Sequence, residues 1–416
     1  MPMTPTAPHT PRAPHTPRTP RLTDPSADAR RHTLLRTARD VADDLAADAD
    51  ARDQAGEPPA DEAARLREAG VLAALTPPGP DRGTDWSTAC AVVQEIATAD
   101  SSVGEILARH YVHTWSSRFY GTSTARTAAI EGESVRAQWL WTGAVRAPGS
   151  SDDGEEGDLT LTPLDTGYIL NGRRALDTAT TAADQLVVDA RCAVTGDILV
   201  VRLPSDHPGL TVEVGGGRLG QRVAGAGTLV PERVVVAPNQ VMGVRPHDEE
   251  STAPFTALAT PALRLALCHV GLGIVEGALA EARDLSRTAS RTSRLPAKDP
   301  DLLLAYGELA STAQTASAVV GRATDAMVRA LDLGPLLDVE EPAAVAALVA
   351  TAETVTARAA LRVTTRVLEV ADAPGLDRFW RNARTLTAHR SAARRLRAIG
   401  DHYLNGPHRT VAANCP

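Results

Sequence analysis

The sequence predicts a mainly α protein with a central antiparallel β lobe. Apolar residues recur at three- and four-residue spacing over residues 25–137 and again over 246–410, the period of amphipathic helices. Between them, residues 138–245 alternate β-branched and polar side chains and are punctuated by Gly, Pro and Asp turns. A chain of 416 residues with 43% hydrophobic content is long enough to bury a large core in two or three lobes.

Residues 1–24 hold a tandem repeat, APHTPR at 7–12 and 13–18, whose proline density forbids helix or sheet. This predicts a disordered tail, with His9 and His15 inert. The N-terminal helical domain, 25–137, reads through RRHTLLRTARDVADDLAADADARD and DEAARLREAGVLAALTPP, and Pro77-Pro78 and Gly79 stop it. A third helix spans Ser87–Ala99. Asp100, Ser101 and Ser102 offer a cap for the next one, which carries His110 and His113 one turn apart. The residues alone leave a surface cluster and a metal fragment open, though without a carboxylate or third ligand the pair is poor metal evidence.

In the middle domain, 138–245, LTLTPL, GYILNG, DQLVVDARC, DILVVRL, LTVEV and GTLVPERVVV read as short strands. Asn171-Gly172 marks a hairpin. Ser150–Asp158, SSDDGEEGD, reads as a solvated acidic loop without a pairing partner.

The C-terminal part, 246–410, opens with a long helix containing Gly271, Gly273 and Gly277. A dinucleotide-binding glycine loop must follow a strand and open a helix, so these glycines are read as sites of close helix packing. Arg287 and Arg291 near that helix's end suit its dipole. Helices over 301–331 and 339–370 follow, and Leu376–Gly406 completes a four-helix bundle. In that last stretch Phe379, Ala383, Leu386, Leu396, Ile399 and Tyr403 predict one buried face between an Asp377 cap and an Asn405-Gly406 stop. Arg378, Arg381, Asn382, Arg384, His389 and Arg390 crowd beside Trp380, which means either an anionic ligand or a solvated face.

A net charge of −8 argues against a nucleic-acid partner. The apolar runs are broken by charges short of a membrane span, and no signal sequence opens the chain, so a soluble cytoplasmic protein is expected. Cys90, Cys192, Cys268 and Cys415 stand far apart and read as ordinary thiols, with no metal site.

The run DRFWRNARTLTAH followed by LNG, with AARLREAGVLAAL and GTDWSTACAVVQEIATADSSVGEILARH, resembles the flavin-dependent monooxygenases of the acyl-CoA dehydrogenase fold. The resemblance covers roughly residues 30 to 410. It implies the acyl-CoA dehydrogenase-like order of N-terminal helical domain, middle β domain and C-terminal four-helix bundle. It also implies a homotetramer in specialised metabolism that takes reduced FMN or FAD from a separate flavin reductase and uses oxygen to hydroxylate N, S or C of a small metabolite. By the same resemblance His389 and His110 are catalytic, shuttling protons or orienting substrate. Arg291 holds the flavin phosphate, and Thr178, Thr142 and Gly143 lie along the flavin edge. Tyr111, Trp141 and Arg390 line the substrate pocket.

The chain departs from the pattern in three places, the mildest being Thr178 where relatives carry a Ser. Ala144 stands where relatives carry an Asn after Trp-Thr-Gly, and the Gly-Arg-Gly type loop is cut to ADAPGL. A flavin-free member of the fold, using the pocket for ligand binding or an acid–base reaction such as cyclisation, therefore stays open. Acyl-CoA dehydrogenation is the third reading. It needs a carboxylate base, yet Arg390 occupies the place of the usual glutamate, which leaves only Glu276 on an earlier helix.

Overall fold

A computed structural model describes residues 25–75, 84–147, 158–248, 251–292, 299–371, 373–388 and 392–406. The N-terminal tail, Cys415, His389 and Arg390 lie outside the described residues, as does the acidic stretch up to residue 157. The chain begins with helices α1 (Pro25–Ala46), α2 (Ala49–Ala55), α3 (Ala60–Glu68), α4 (Trp86–Ala99), α5 (Ser101–Thr114), α6 (Ser116–Tyr120) and α7 (Thr124–Ala137). Capping sets two of the starts: Asp85 accepts from Thr88 N at 2.7 Å, and Asp100 accepts from Ser102 N and Val103 N at 3.0 and 3.3 Å.

The strands follow: β1 (Trp141–Ala144), β2 (Thr160–Leu164), β3 (Gly167–Asn171), β4 (Arg174–Leu176), β5 (Gln185–Cys192), β6 (Ile198–Pro204), β7 (Leu210–Val214), β8 (Gly227–Pro231), β9 (Val234–Val236) and β10 (Val241–Arg245). One sheet runs β10-β6-β5-β2-β3-β9 with β1 added on β5, and a second runs β4-β8-β7. The antiparallel expectation needs correcting at β5, where both β1 and β2 pair in parallel. Asn171-Gly172 is also not a hairpin. Gly172, at φ +125°, is a corner where the chain leaves β3 in the first sheet for β4 in the second, and Asn171 Oδ1 fastens it by accepting from Arg233 N at 2.8 Å.

Four long stretches return to helix: α8 (Ala259–Thr292), α9 (Pro300–Leu333), α10 (Glu341–Ala371), then α11 (Asp377–Ala388) with α12 (Ala392–Asn405). This mainly helical arrangement around a central β lobe is the predicted fold class. The last stretch is described as two helices, and only α11 buries its apolar face. Phe379 and Ala383 are covered, whereas Leu396 and Tyr403 on α12 are 46% and 87% exposed.

Helices Thr256–Thr288 and Glu341–Ala371 are apolar and long enough to cross a membrane, contrary to the expectation that charges break every such run. The first has 78% of its apolar window buried inside the chain, the condition of a core helix. Cys90, Cys192 and Cys268 are buried free thiols.

A buried ion cluster ties the β lobe together. Asp189, 1% exposed, meets Arg174 Nη1 at 2.6 Å and Arg245 Nε at 2.8 Å. Removing one member of such a cluster strands the other charges without water. Asp189→Ala should therefore cost about 3–5 kcal/mol, read as a lowered urea midpoint. An unchanged midpoint would mean the arginines find other partners.

Candidate active site

A cleft of about 590 Å³ opens between β1, the β4 region, α5, α8 and α11. One wall is a stripe on α5, where Glu105, Arg109 and His113 recur every four residues and so share a helix face. The opposite side is apolar, from Leu263 and Leu267 on α8 and Leu386 on α11. Gly143 and Ala144 of β1 form the floor, with Asp158, Arg174, Asp177 and Arg218 at the rim.

The cations here are mostly engaged. Arg109 Nη2 reaches Asp177 Oδ2 at 2.7 Å and Glu105 Oε1 at 2.9 Å. Burial works against its charge, but the two carboxylates outweigh that and hold it protonated. Arg174 donates to the Ala144 carbonyl at 3.1 Å as well as to Asp158 at 2.6 Å. Asp158, at the end of the acidic stretch, is thus paired, contrary to expectation. Burial opposes its ionisation, yet Arg174 and Arg146 keep it below the usual carboxylate range. Arg218 donates to the Asp177 carbonyl at 2.9 Å, and no carboxylate pairs with it among the described residues.

The structure redistributes the predicted site residues. Gly143 and, on α11, Leu386 and Thr385 face the cleft. His110 does not: it is fully buried, with Nε2 2.8 Å from the Leu72 carbonyl and Nδ1 accepting from Trp141 N at 3.1 Å. With both ring nitrogens spent on main chain, and burial pushing its pKa down to about 4, it is a staple and not a proton shuttle. Tyr111 is likewise core, its hydroxyl donating to the Val71 carbonyl at 2.7 Å. Trp141 is buried with Nε1 donating to Ser134 Oγ at 2.8 Å, and neither lines this cleft. Thr142 donates its hydroxyl to the Thr178 carbonyl at 2.7 Å and both threonines are fully covered, so their side chains turn inward. Arg291 falls in the last turn of α8, its side chain outside the described residues, and His389 and Arg390 follow α11 beyond them.

Two of the cations on α11 are committed to carboxylates, while Arg384 is exposed. Arg378 pairs with Glu281 at 2.6 Å, and Arg381 with Asp53 at 2.6 Å and Asp377 at 2.9 Å. Asn382 accepts from Gln221 N at 2.6 Å and donates to Ser101 Oγ at 2.9 Å. The motif clamps α11 to the helical and β parts alike. What sequence reasoning missed was the α5 stripe. Its Glu-Arg-His spacing of four was the available signal, overshadowed by His110.

Glu276, the one remaining candidate base, stands nine residues beyond Leu267, which on an α-helix is the opposite face. It lines a separate cavity of about 270 Å³ with His269, and both its oxygens take Gln94 Nε2 at 2.9 Å.

With helices flanking a two-sheet lobe, the fold is that of acyl-CoA dehydrogenases: butyryl-CoA dehydrogenase from Megasphaera elsdenii superposes with a TM-score of 0.74 at 21% identity, over 90% of this chain and 98% of that one. This chain belongs to the flavin-dependent monooxygenases of that fold. The dibenzothiophene monooxygenase TdsC from Paenibacillus sp. A11-2, solved with FMN and indole, is 30% identical with a TM-score of 0.81, over 90% of this chain and 97% of that one. Dibenzothiophene monooxygenase from Rhodococcus erythropolis is 29% identical over 401 residues, 91% of this chain and 95% of the relative. A probable FMNH2-dependent monooxygenase, SfnC, from Pseudomonas putida is 28% identical over 395 residues, 89% of this chain and 94% of the relative. No protein-family model matches the chain.

Burial holds three histidines neutral: His110 and His269 with pKa values lowered to about 4, and His113 to about 3, where nearby Arg109 adds to the effect. Unfolded, each takes a proton below its ordinary 6.5, so their stabilisation is complete above that pH and drains away as pH falls, by about 1.4 kcal/mol per unit per histidine. Urea midpoints measured from pH 6.5 to 5 should fall, and His269→Gln should flatten the slope by roughly a third. An unaltered slope in that variant would show that His269 protonates in place.

Proposed function

We propose that the protein is a two-component monooxygenase that takes reduced FMN from a separate reductase and hydroxylates N, S or C of a small metabolite in specialised metabolism. The observation carrying this is the cleft: a flat apolar side of Leu263, Leu267 and Leu386 faces the main chain of Gly143 and Ala144, with a cation at its rim. These residues fit a mononucleotide flavin. The apolar side suits a planar ring, the β1 main chain offers hydrogen-bonding groups at its edge, and Arg218, lacking a carboxylate partner among the described residues, suits a phosphate. His113, whose buried Nε2 has no partner, marks a wall built to meet a ligand. Bound reduced flavin supplies two electrons, so that one atom of O2 enters the substrate and the other leaves as water.

The chain's own part is to exclude water, orient substrate against the α5 stripe and move a proton. His389, three residues after the cleft residue Leu386, is proposed for the proton step, and Arg291, about 36 Å along α8 from Leu267, as a phosphate contact to the cleft of a neighbouring copy. Exposed apolar residues on α12, Tyr403 and Leu404 at 87% and 80%, support burial against other copies, as in a homotetramer. The mostly buried α8 supports a soluble, cytoplasmic protein.

Titration with FMN and with reduced FMN should show micromolar binding by calorimetry; absence of both would favour the flavin-free reading. Arg218→Ala should weaken FMN by about tenfold or more, the worth of a charge-assisted hydrogen bond, and leave riboflavin unaffected. Equal losses for both would place Arg218 away from the phosphate. His389→Ala should lower turnover by at least about a hundredfold, with the urea midpoint little changed. Acyl-CoA thioesters with an artificial acceptor should give no reduction. Turnover abolished by Glu276→Gln would reverse that exclusion.

A further inference from the structure

Behind the cleft lies a smaller hollow of about 40 Å³, in the seam of α8, α10, α11 and α12. Leu267 and Leu386 line both spaces and form the partition between them. Small residues keep the hollow open: Gly271, Ala357 and Ala360 line it, and a Cβ on Gly271 would come within 2.7 Å of Thr356 Cγ2. The space admits about three water-sized atoms. Thr356 lines it too, is 3% exposed, and its buried hydroxyl has no hydrogen-bond partner. On the same helix Thr351, Thr354, Thr364 and Thr365 each return the hydroxyl to the carbonyl four residues back, at 2.7–2.9 Å. Thr387, the other hydroxyl of the lining, donates to the Ala383 carbonyl at 2.8 Å. Among the described threonines of α10 only Thr356 keeps its hydroxyl unpaired, a costly condition for a buried group. The lining is also unbalanced in charge. Arg395 meets Glu353 at 3.3 Å, and Arg264 brings a second cation with no second carboxylate among the described lining residues. Guanidinium groups only donate, and they hold their charge at any working pH.

We propose that the hollow is a subsite for an acid group of the substrate: a carboxylate on a short arm passes between Leu267 and Leu386, accepts a hydrogen bond from the Thr356 hydroxyl and offsets the surplus cation, while the body of the substrate stays in the cleft. This rests on the cleft being the substrate site of the proposed function, and it narrows the small metabolite to one that bears a carboxylate. The size of that group matches the room behind the leucines. An ionised carboxylate only accepts, which complements a lining whose arginines only donate. Charge-assisted contacts of this kind are stronger than neutral ones. An ammonium group would face two arginines against one glutamate, and an apolar tail would leave the Thr356 hydroxyl as bare as before. Water is the competing occupant, and the variants below separate it from an acid group.

The test compares indole-3-propionate with its primary amide, which keeps the shape and loses the charge, by calorimetry on the full-length flavin-free protein at neutral pH. The acid should bind about tenfold or more tightly than the amide. Arg264→Gln should bring that ratio close to one. Thr356→Val, which keeps the shape and removes the hydroxyl, should weaken the acid by about fivefold or more. The same variant should leave the urea midpoint of the ligand-free protein unchanged or raised, because the hydroxyl it removes has no partner there. Equal affinities in the unaltered protein, binding of neither probe, or a ratio that survives Arg264→Gln overturns the proposal. So does undiminished acid affinity in Thr356→Val, which together with a lowered midpoint marks a hollow that holds only water. Should the Arg264 variant fail to fold, the unaltered protein and Thr356→Val still decide. FMN binding is scored separately. An acid preference without FMN affinity defeats the flavin reading alone, and FMN affinity without an acid preference defeats this inference alone.

Discussion

Three helices meet at one methyl group. A Cβ placed on Gly104 of α5 or on Gly273 of α8 would lie 2.5 Å from Ala97 Cβ of α4, a distance no packed carbon tolerates. Gly277, a turn further along α8, comes as close to the Thr98 carbonyl, where a Cβ would sit 2.2 Å away. The glycines are therefore the condition under which α4 lies flush against both partners, and the width of the cleft follows from it. Its polar wall is α5 and its apolar wall α8, so the separation of Glu105, Arg109 and His113 from Leu263 and Leu267 is set at Ala97. Even an alanine at Gly273 would push α8 away from α4 and shift the apolar lining of the cleft.

What holds the third wall in place is polar. Beyond the buried Phe379 and Ala383, the position of α11 is fixed by Arg378–Glu281, Arg381–Asp53 and the double role of Asn382 between Gln221 N and Ser101 Oγ. The most recognisable segment of the chain, DRFWRN, thus does assembly. It joins the N-terminal helices, the β lobe and the bundle at the point where Thr385 and Leu386 enter the cleft. Buried charge of this kind adds little net stability against an apolar alternative, but it specifies one docking geometry, which is what a site built from three separate parts of the chain requires.

Features with a local cause were legible in the sequence. Helical periodicity, the Asp100 cap, the strand-rich middle and the packing role of Gly273 and Gly277 all follow from neighbours within a few residues. Features set by distant partners were not. Nothing local distinguishes Asn171-Gly172 as a corner between two sheets from a hairpin turn, because both need the same positive φ. Nor does the sequence show that β1 and β2 pair in parallel with β5. His110 and His113 illustrate the same limit at the site. They are one turn apart on one helix, and only the position of the Leu72 carbonyl and of Trp141 N makes the first a staple and leaves the second facing the cleft.

The departure at Ala144 looks different once the walls are in view. A β1 residue with an amide side chain could present a polar group to the edge of a bound ring; alanine cannot, and its carbonyl is already taken by Arg174. His113 lines the same cleft as Gly143, the residue immediately before, and carries a buried ring nitrogen without a hydrogen-bond partner. The polar group absent from the strand is present on the facing helix. That group has Arg109 and its partner Asp177 beside it on the same wall. Polarity in this cleft therefore sits on the helix and not on the strand side chain, so its placement is set by the packing of α5 and not by the β1 sequence.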